Sequence, residues 1–143
     1  MKLTQISVFL ENRKGRLYDV CSLLGSHDIN IRALTIAESP EFGILRLVVD
    51  KPKDAVDILK RKGFIAKLTD IIAVEVDDRP GGLARILQIL YDNSVNVEYM
   101  YGFVEKFSDK ALLVFRFDSP DKAISVLKKN KINIVGAKNL EKI

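Results

Sequence analysis

Residues 3–10 alternate, with Ile6, Val8 and Leu10 on one face and Gln5 and Ser7 on the other, which is the period-two pattern of a strand. From Gly15 to His27 the period changes. Leu17, Val20, Cys21 and Leu24 recur at helical spacing and predict a helix with one buried stripe. His27-Asp28 end that helix, and Ile29-Asn30-Ile31 lead into a second strand that runs to about Glu38. Ser39-Pro40-Glu41-Phe42-Gly43 reads as a turn. Residues 44–49 are β-branched and leucine-rich and predict a third strand. Pro52 suits the first position of a second helix, where its missing N–H would be unpaired anyway. This helix runs to about Lys62, with Gly63 as its stop, and Phe64 to Thr69 gives a short fourth strand.

The same order then recurs. With Gly15 laid on Gly81, Ile6, Val8 and Leu10 fall without a gap on Ile72, Val74 and Val76, and Arg13 falls on Arg79. Leu17, Val20, Cys21 and Leu24 fall on Leu83, Ile86, Leu87 and Leu90, and Asn30-Ile31 on Asn96-Val97. After a two-residue insertion near Glu105–Lys110, Asp50, Pro52, Ala55, Leu59 and Lys60 fall on Asp118, Pro120, Ala123, Leu127 and Lys128. A repeat of this density identifies two copies of one unit, 1–70 and 71–143. In the second copy strands are expected near 71–77, 96–105, 110–118 and 132–138, and helices near 81–93 and 120–130. Ser119-Pro120 reads as an N-cap and first helical residue. Leu68-Thr69-Asp70-Ile71 leaves almost no linker, so the units are expected to pack rather than flex.

Each unit is therefore βαββαβ. Right-handed crossovers lead to a split βαβ arrangement, four antiparallel strands with both helices on one face, an α+β fold. About 70 residues make a thin core. Pairing of sheets, or dimerisation, would cover apolar surface left on the open face.

One stretch stands out in each copy. Glu11-Asn12-Arg13-Lys14-Gly15-Arg16-Leu17 and Asp77-Asp78-Arg79-Pro80-Gly81-Gly82-Leu83 both lie where a first strand hands over to a helix. A helix N-terminus has unpaired N–H groups and a partial positive charge. Glycine allows close approach to that backbone. Such a loop makes a cradle for a small anion such as a carboxylate.

Composition narrows the classes. The 143 residues are 48% hydrophobic, with a net charge of +4 and a single cysteine. One cysteine excludes an internal disulfide and suits a reducing compartment. The N-terminus gives no targeting signal, and no apolar run reaches the roughly 20 residues that span a bilayer. A cytoplasmic, soluble protein is expected. The positive excess is spread over both halves, and Lys60-Arg61-Lys62 and Lys128-Lys129 fall at helix ends, where cations offset the dipole. Nucleic acid is therefore not the expected partner. Cys21 belongs to the helix stripe, and His27 has no companion for a metal, so neither a metal nor a cofactor is expected.

Two βαββαβ units, each with an N-x-P-G- or D-x-P-G-like loop after the first strand and Asn-Ile or Asn-Val opening the second, resemble ACT domains in tandem, a ferredoxin-like architecture. The resemblance covers essentially the whole chain and is strongest at 77–83 and at Val95-Asn96-Val97-Glu98. It implies a non-catalytic regulatory module that binds an amino acid or similar ligand where two ACT units meet. It further implies a homodimer and a regulated partner protein. The positions it implies for ligand contact are Asn12, Lys14, Gly15 and Asn30 in the first unit, and Asp78, Pro80, Gly81, Gly82 and Asn96 in the second. Lys14 stands where the family has proline, so the first loop is less rigid and more basic. Asp78 stands where an amide is usual and, ionised, only accepts hydrogen bonds. Whether the two loops take different ligands, or only one works, stays open at this level.

The cradle suits a zwitterion: N–H groups around Gly15, Gly81 and Gly82 for the carboxylate, and Asp78, Asn12 or strand-edge carbonyls for the ammonium. Each residue also has a plain structural role. The glycines can simply shape the turns, Asn30 and Asn96 can close helix-to-strand turns, and the acids can answer the helix dipole. Rival functions are an oligomerisation module with empty clefts, an acylphosphatase-like enzyme using Arg13 or Arg79, and an RNA-binding sheet presenting Phe115 and Phe117. The G-R-V-Q-G-type phosphate loop is missing, as are a nucleophile–base pair and the aromatic and glycine pattern of an RNA-binding third strand.

Overall fold

The computed structural model describes residues 2–104 and 109–140. The chain divides into two compact units, Thr4–Thr69, and Asp70–Ile143 together with Met1–Leu3.

The first unit runs β1 (Leu3–Glu11), α1 (Arg16–Ser26), β2 (Ile31–Glu38), β3 (Phe42–Val49), α2 (Pro52–Arg61) and the opening of β4 (Ile65–Val76). Strand β3 lies between β1 and β2 and is antiparallel to both, with Ile6 opposite Leu47 and Leu47 opposite Leu34. One face carries the core: Ile6, Val8, Leu10, Leu45 and Leu47 from the strands meet Val20 and Leu24 of α1 and Ala55 and Leu59 of α2. Each Val, Leu or Ile side chain among them contributes about 1.5–3 kcal/mol on leaving water.

The second unit repeats this plan with β4, α3 (Gly82–Asp92), β5 (Val97–Gly102), β6 (Ala111–Phe117), α4 (Pro120–Lys129) and β7 (Ile134–Val135), followed by a short α5 (Ala137–Leu140). Here β6 takes the central place between β4 and β5, and β7 pairs with β4. Ile72, Val74, Phe115 and Phe117 meet Ile86, Leu90, Ala123 and Leu127 from the helices. Phe115 and Phe117 stack with centroids 5.3 Å apart and are 0% and 1% exposed. They are core residues, which removes the platform that an RNA-binding sheet would need.

All four long helices end alike. The amide of the second residue beyond the cap bonds back to the carbonyl three residues before it: Ile29 to Leu24, Phe64 to Leu59, Val95 to Leu90 and Ile132 to Leu127, at 2.9–3.0 Å. The preceding residue is left-handed in every case: Asp28 (φ 59°), Gly63 (86°), Ser94 (57°) and Lys131 (59°). This is the Schellman ending, with its apolar residue turned into the core. Gly63 is the expected stop. His27 Nδ1 donates to Leu23 O at 2.9 Å, and Asn93 and Asn130 do likewise to Ile89 and Val126. His27 is thus a helix-ending residue.

Four details depart from the sequence reading. The strands expected at 64–69 and near 71–77 form one strand, because nothing between Leu68 and Ile71 breaks an extended backbone. The strand expected over 132–138 is only Ile134–Val135; the chain turns at Gly136, whose carbonyl accepts from the amides of Asn139 and Leu140 to start α5. Ser119 holds the N-cap position but makes no side-chain cap bond. Gln5, on the face opposite Ile6 and Val8, is fully buried and donates to Ser7 Oγ at 3.3 Å. The insertion near Glu105–Lys110 lies partly outside the described residues.

Candidate functional site

The two loops share one hydrogen-bond skeleton. Arg13 N–H donates to Glu11 O and Arg79 N–H to Asp77 O, both at 2.9 Å. Arg16 N–H donates to Arg13 O at 3.4 Å, and Gly82 N–H to Arg79 O at 3.0 Å. The helices open with Asp19 N–H on Gly15 O and Arg85 N–H on Gly81 O. Gly15 and Gly81 occupy the N-cap with φ 88° and 83°, left-handed values that an L side chain resists. Having no side-chain oxygen, neither caps its helix. The outward N–H groups of each first turn therefore lack the usual side-chain acceptor.

The surrounding charges are largely committed within each unit. Arg13 Nε lies 3.3 Å from Glu11 Oε2, and Arg79 Nη2 lies 3.2 Å from Asp77 Oδ2. Asp77 also meets Lys110 Nζ at 3.4 Å. Each loop arginine thus pairs with the acid two residues before it, on the surface, where such a pair contributes little to stability. Asn12 stitches the first loop to the β2–β3 turn: its amide N–H meets Glu41 O and its side-chain Nδ2 meets Pro40 O, both at 3.2 Å. Lys14, Asp78 and Pro80 are exposed.

Asn30 and Asn96 lie elsewhere in their units. Glu11 ends β1 opposite Phe42, whereas Ile31 starts β2 opposite Val49. Loop and asparagine stand at opposite ends of the unit, about 16 Å apart along the 11 residues of α1. Both asparagines join a backbone clasp. Asn30 N–H donates to Asp50 Oδ1 at 3.0 Å while Asp50 N–H donates to Asn30 O at 3.2 Å. Asn96 and Asp118 repeat it at 3.0 and 3.1 Å. The paired Asn and Asp positions of the repeat thus have a structural reason, and both asparagine residues remain exposed.

A pocket of about 90 Å³ opens beside the first loop, walled by Leu10, Leu17 and Ile36 and by the polar side chains of Asn12, Arg16 and Glu38. Leu17, expected in the buried stripe, is 38% exposed and lines this pocket instead. A wider groove of about 390 Å³ runs along α1 past Arg16, Asp19 and Ser22 to Lys62 and Phe64. Arg16 belongs to both. Its guanidinium lies 4.4 Å from the Phe64 ring centroid, and Nη1 is 3.7 Å from Asp19 Oδ2. Arg16 Nε is shielded from water and has no hydrogen-bond partner.

Nothing in the sequence pattern by itself singles out Arg16 or Glu38. The signal for Arg16 is a mismatch, since it falls on Gly82 when the copies are aligned. Gly82 is fixed by packing: a Cβ there would lie 2.0 Å from the Asp77 carbonyl oxygen. The first loop is looser, as the 3.4 Å bond shows, and admits a side chain.

Burial raises the Cys21 thiol above its ordinary pKa, which disfavours the nucleophilic thiolate. Among the described residues no group of three or more His, Cys, Asp or Glu could hold a metal ion, and no helix is long and apolar enough to cross a membrane.

The family model for the ACT domain pair matches residues 1–143. The chain belongs to this family. As an ACT pair it is a regulatory, ligand-binding module, built from two βαββαβ units of α+β fold. A Bacteroides thetaiotaomicron protein of known crystal structure is 40% identical to the ACT pair, covers 100% of it over 98% of its own chain, and superposes with a TM-score of 0.92. The regulatory subunits of aspartate kinase from Thermus thermophilus and Thermus flavus share the fold at 16% identity. Their TM-scores are 0.63 and 0.62, over 87% and 88% of the ACT pair and 87% and 90% of their own chains. Among curated proteins none matches.

Proposed function

We propose that the ACT pair senses a free amino acid at its glycine-capped loops and conveys occupancy to a partner protein without catalysing a reaction. The observation that carries this reading is the loop itself: two helix N-termini, each opened by a left-handed glycine that leaves it uncapped. One of them adjoins a pocket containing both cationic and anionic side chains. A carboxylate answers the N–H groups and dipole of the helix start, and the ammonium of the same molecule answers a carboxylate such as Glu38. Gly15, Gly81 and Gly82 present backbone, and Asn12, Lys14, Asp78 and Pro80 border it.

Asn30 and Asn96 enter differently. Because loop and asparagine stand at opposite ends of a unit, a ligand touching both draws on two ACT units. We assign the second to another copy of the chain. Among the described residues β2 pairs only with β3, and β5 only with β6, so each leaves an edge able to pair with an identical edge. A homodimer formed there brings such an asparagine within reach. The single, half-buried cysteine fits the reducing cytoplasm.

Thermal melting with each of the twenty amino acids at millimolar concentration, read together with oligomeric state, tests this. One or a few should raise Tm by roughly 5–10 °C once the free ligand exceeds its Kd about a hundredfold. A stable dimer whose Tm responds to none of the twenty would make the ACT pair an oligomerisation module instead.

A further inference from the structure

The two loops share a skeleton but not a chemistry, and the difference sits at one position. In the second unit the residue after the glycine cap is Gly82, buried so close to Asp77 that a Cβ would lie 2.0 Å from its carbonyl oxygen. No side chain can enter that loop from there. In the first unit the same position is Arg16, whose side chain is only 20% exposed. Its Nε is buried without a hydrogen-bond partner, and its nearest carboxylate, on Asp19, is 3.7 Å from Nη1, beyond hydrogen-bond reach. Nε is too shielded for a ligand to reach, but among the described residues no carboxylate is hydrogen-bonded to the rest of this guanidinium. The residue carrying it lines the pocket of about 90 Å³.

We propose that the first unit holds the ligand site of the ACT pair, that Arg16 binds the α-carboxylate there, and that the ligand is an α-amino acid with a small aliphatic side chain. This deepens the amino-acid reading above and rests on it. The pocket supplies the remaining contacts. Glu38 provides an acceptor for the ammonium, and Leu10, Leu17 and Ile36 provide an apolar wall. The pocket is small, about 90 Å³, and its apolar wall is aliphatic, which favours a methyl to isopropyl group over an aromatic ring. Phe64 holds the guanidinium, 4.4 Å from the ring centroid, so Arg16 is positioned before the ligand arrives. The second loop, with glycine at the matching position, has no equivalent cation.

Calorimetric titration of the full chain with L-alanine, L-valine and L-phenylalanine, and with the amides of alanine and valine, tests the assignment. Alanine or valine should bind at one per chain, with the amides and phenylalanine at least roughly tenfold weaker. Arg16→Gln should weaken binding by a similar factor, and Arg16→Lys should recover part of it. Arg16→Gly, which copies the second loop, should keep the fold and lose binding, so that failure of one variant to fold leaves the other decisive. Unchanged affinity in Arg16→Gln or Arg16→Gly, two equal sites per chain, or phenylalanine bound as tightly as valine would overturn this assignment while leaving the amino-acid reading intact. Silence with all twenty amino acids would remove both.

Discussion

Gly82→Ala should be the most damaging single change at either loop, lowering the stability of the second unit by at least about 3 kcal/mol. The reason is local and steric. The added methyl would sit 2.0 Å from the Asp77 carbonyl oxygen and 3.0 Å from its carbon, and backbone cannot swing aside as a flexible side chain can. Relief requires breaking the Gly82-to-Arg79 bond, prying α3 from the end of β4, or both. Gly15→Ala and Gly81→Ala are informative contrasts. Nothing lies within 4 Å of an added Cβ at either site, so only the left-handed backbone opposes them, at about 1–2 kcal/mol. Urea unfolding of the three variants should therefore put Gly82→Ala well apart from the other two. Equal costs would mean that strain at the cap, and not the close approach to Asp77, governs the loop.

Phe115→Ala should cost about 3–5 kcal/mol and unfold the second unit cooperatively. Phe115 is fully buried, stacks on Phe117, and lies opposite Ile72 on β4 and Met100 on β5. Removing the ring opens a cavity between strands and helices that no neighbour can fill without moving backbone. Tyr18→Ala, at a site 72% exposed, is the control and should stay within about 0.5 kcal/mol of the parent. Chemical denaturation followed by far-UV circular dichroism separates the two. A well-folded Phe115→Ala variant would show that this strand is a surface platform and not a core strand.

The sequence carried the architecture because the duplication supplied two readings of every element. Gly15 and Gly81 marked the loops, Pro52 and Pro120 the second helices, and Gly63 a helix stop. What it did not carry were the left-handed endings at Asp28, Ser94 and Lys131. There the signal is an apolar residue one step further on, Ile29, Val95 or Ile132, whose burial holds the preceding residue in a conformation it would not choose alone. Alternation puts Gln5 on the face opposite the core, and a period of two carries no signal for which second faces become covered. The last strand of the second unit shrank because Gly136 lets the chain turn into α5.

The candidate site was legible by halves. The glycine caps were readable from their repetition, and they are where the left-handed backbone requires glycine. Asn30 and Asn96 repeat just as faithfully, yet repetition also records their clasp with Asp50 and Asp118, so a repeat alone does not separate ligand contact from turn closure. Arg16 was hidden for the opposite reason. Shared positions carry the repeat, whereas Arg16 differs from Gly82 because the second copy forbids a side chain, its backbone approaching to 2.0 Å of where a Cβ would lie.

The most direct test of the loops as the ligand-contact surface is the backbone amide spectrum of labelled protein, recorded while adding whichever amino acid raises Tm. The largest shifts are expected at the amides of Asn12 to Tyr18, with those of the asparagine-opened strand starts moving in the same titration if a second copy closes the site. Shifts that leave residues 12–18 and 78–84 untouched and gather elsewhere on the units would contradict it.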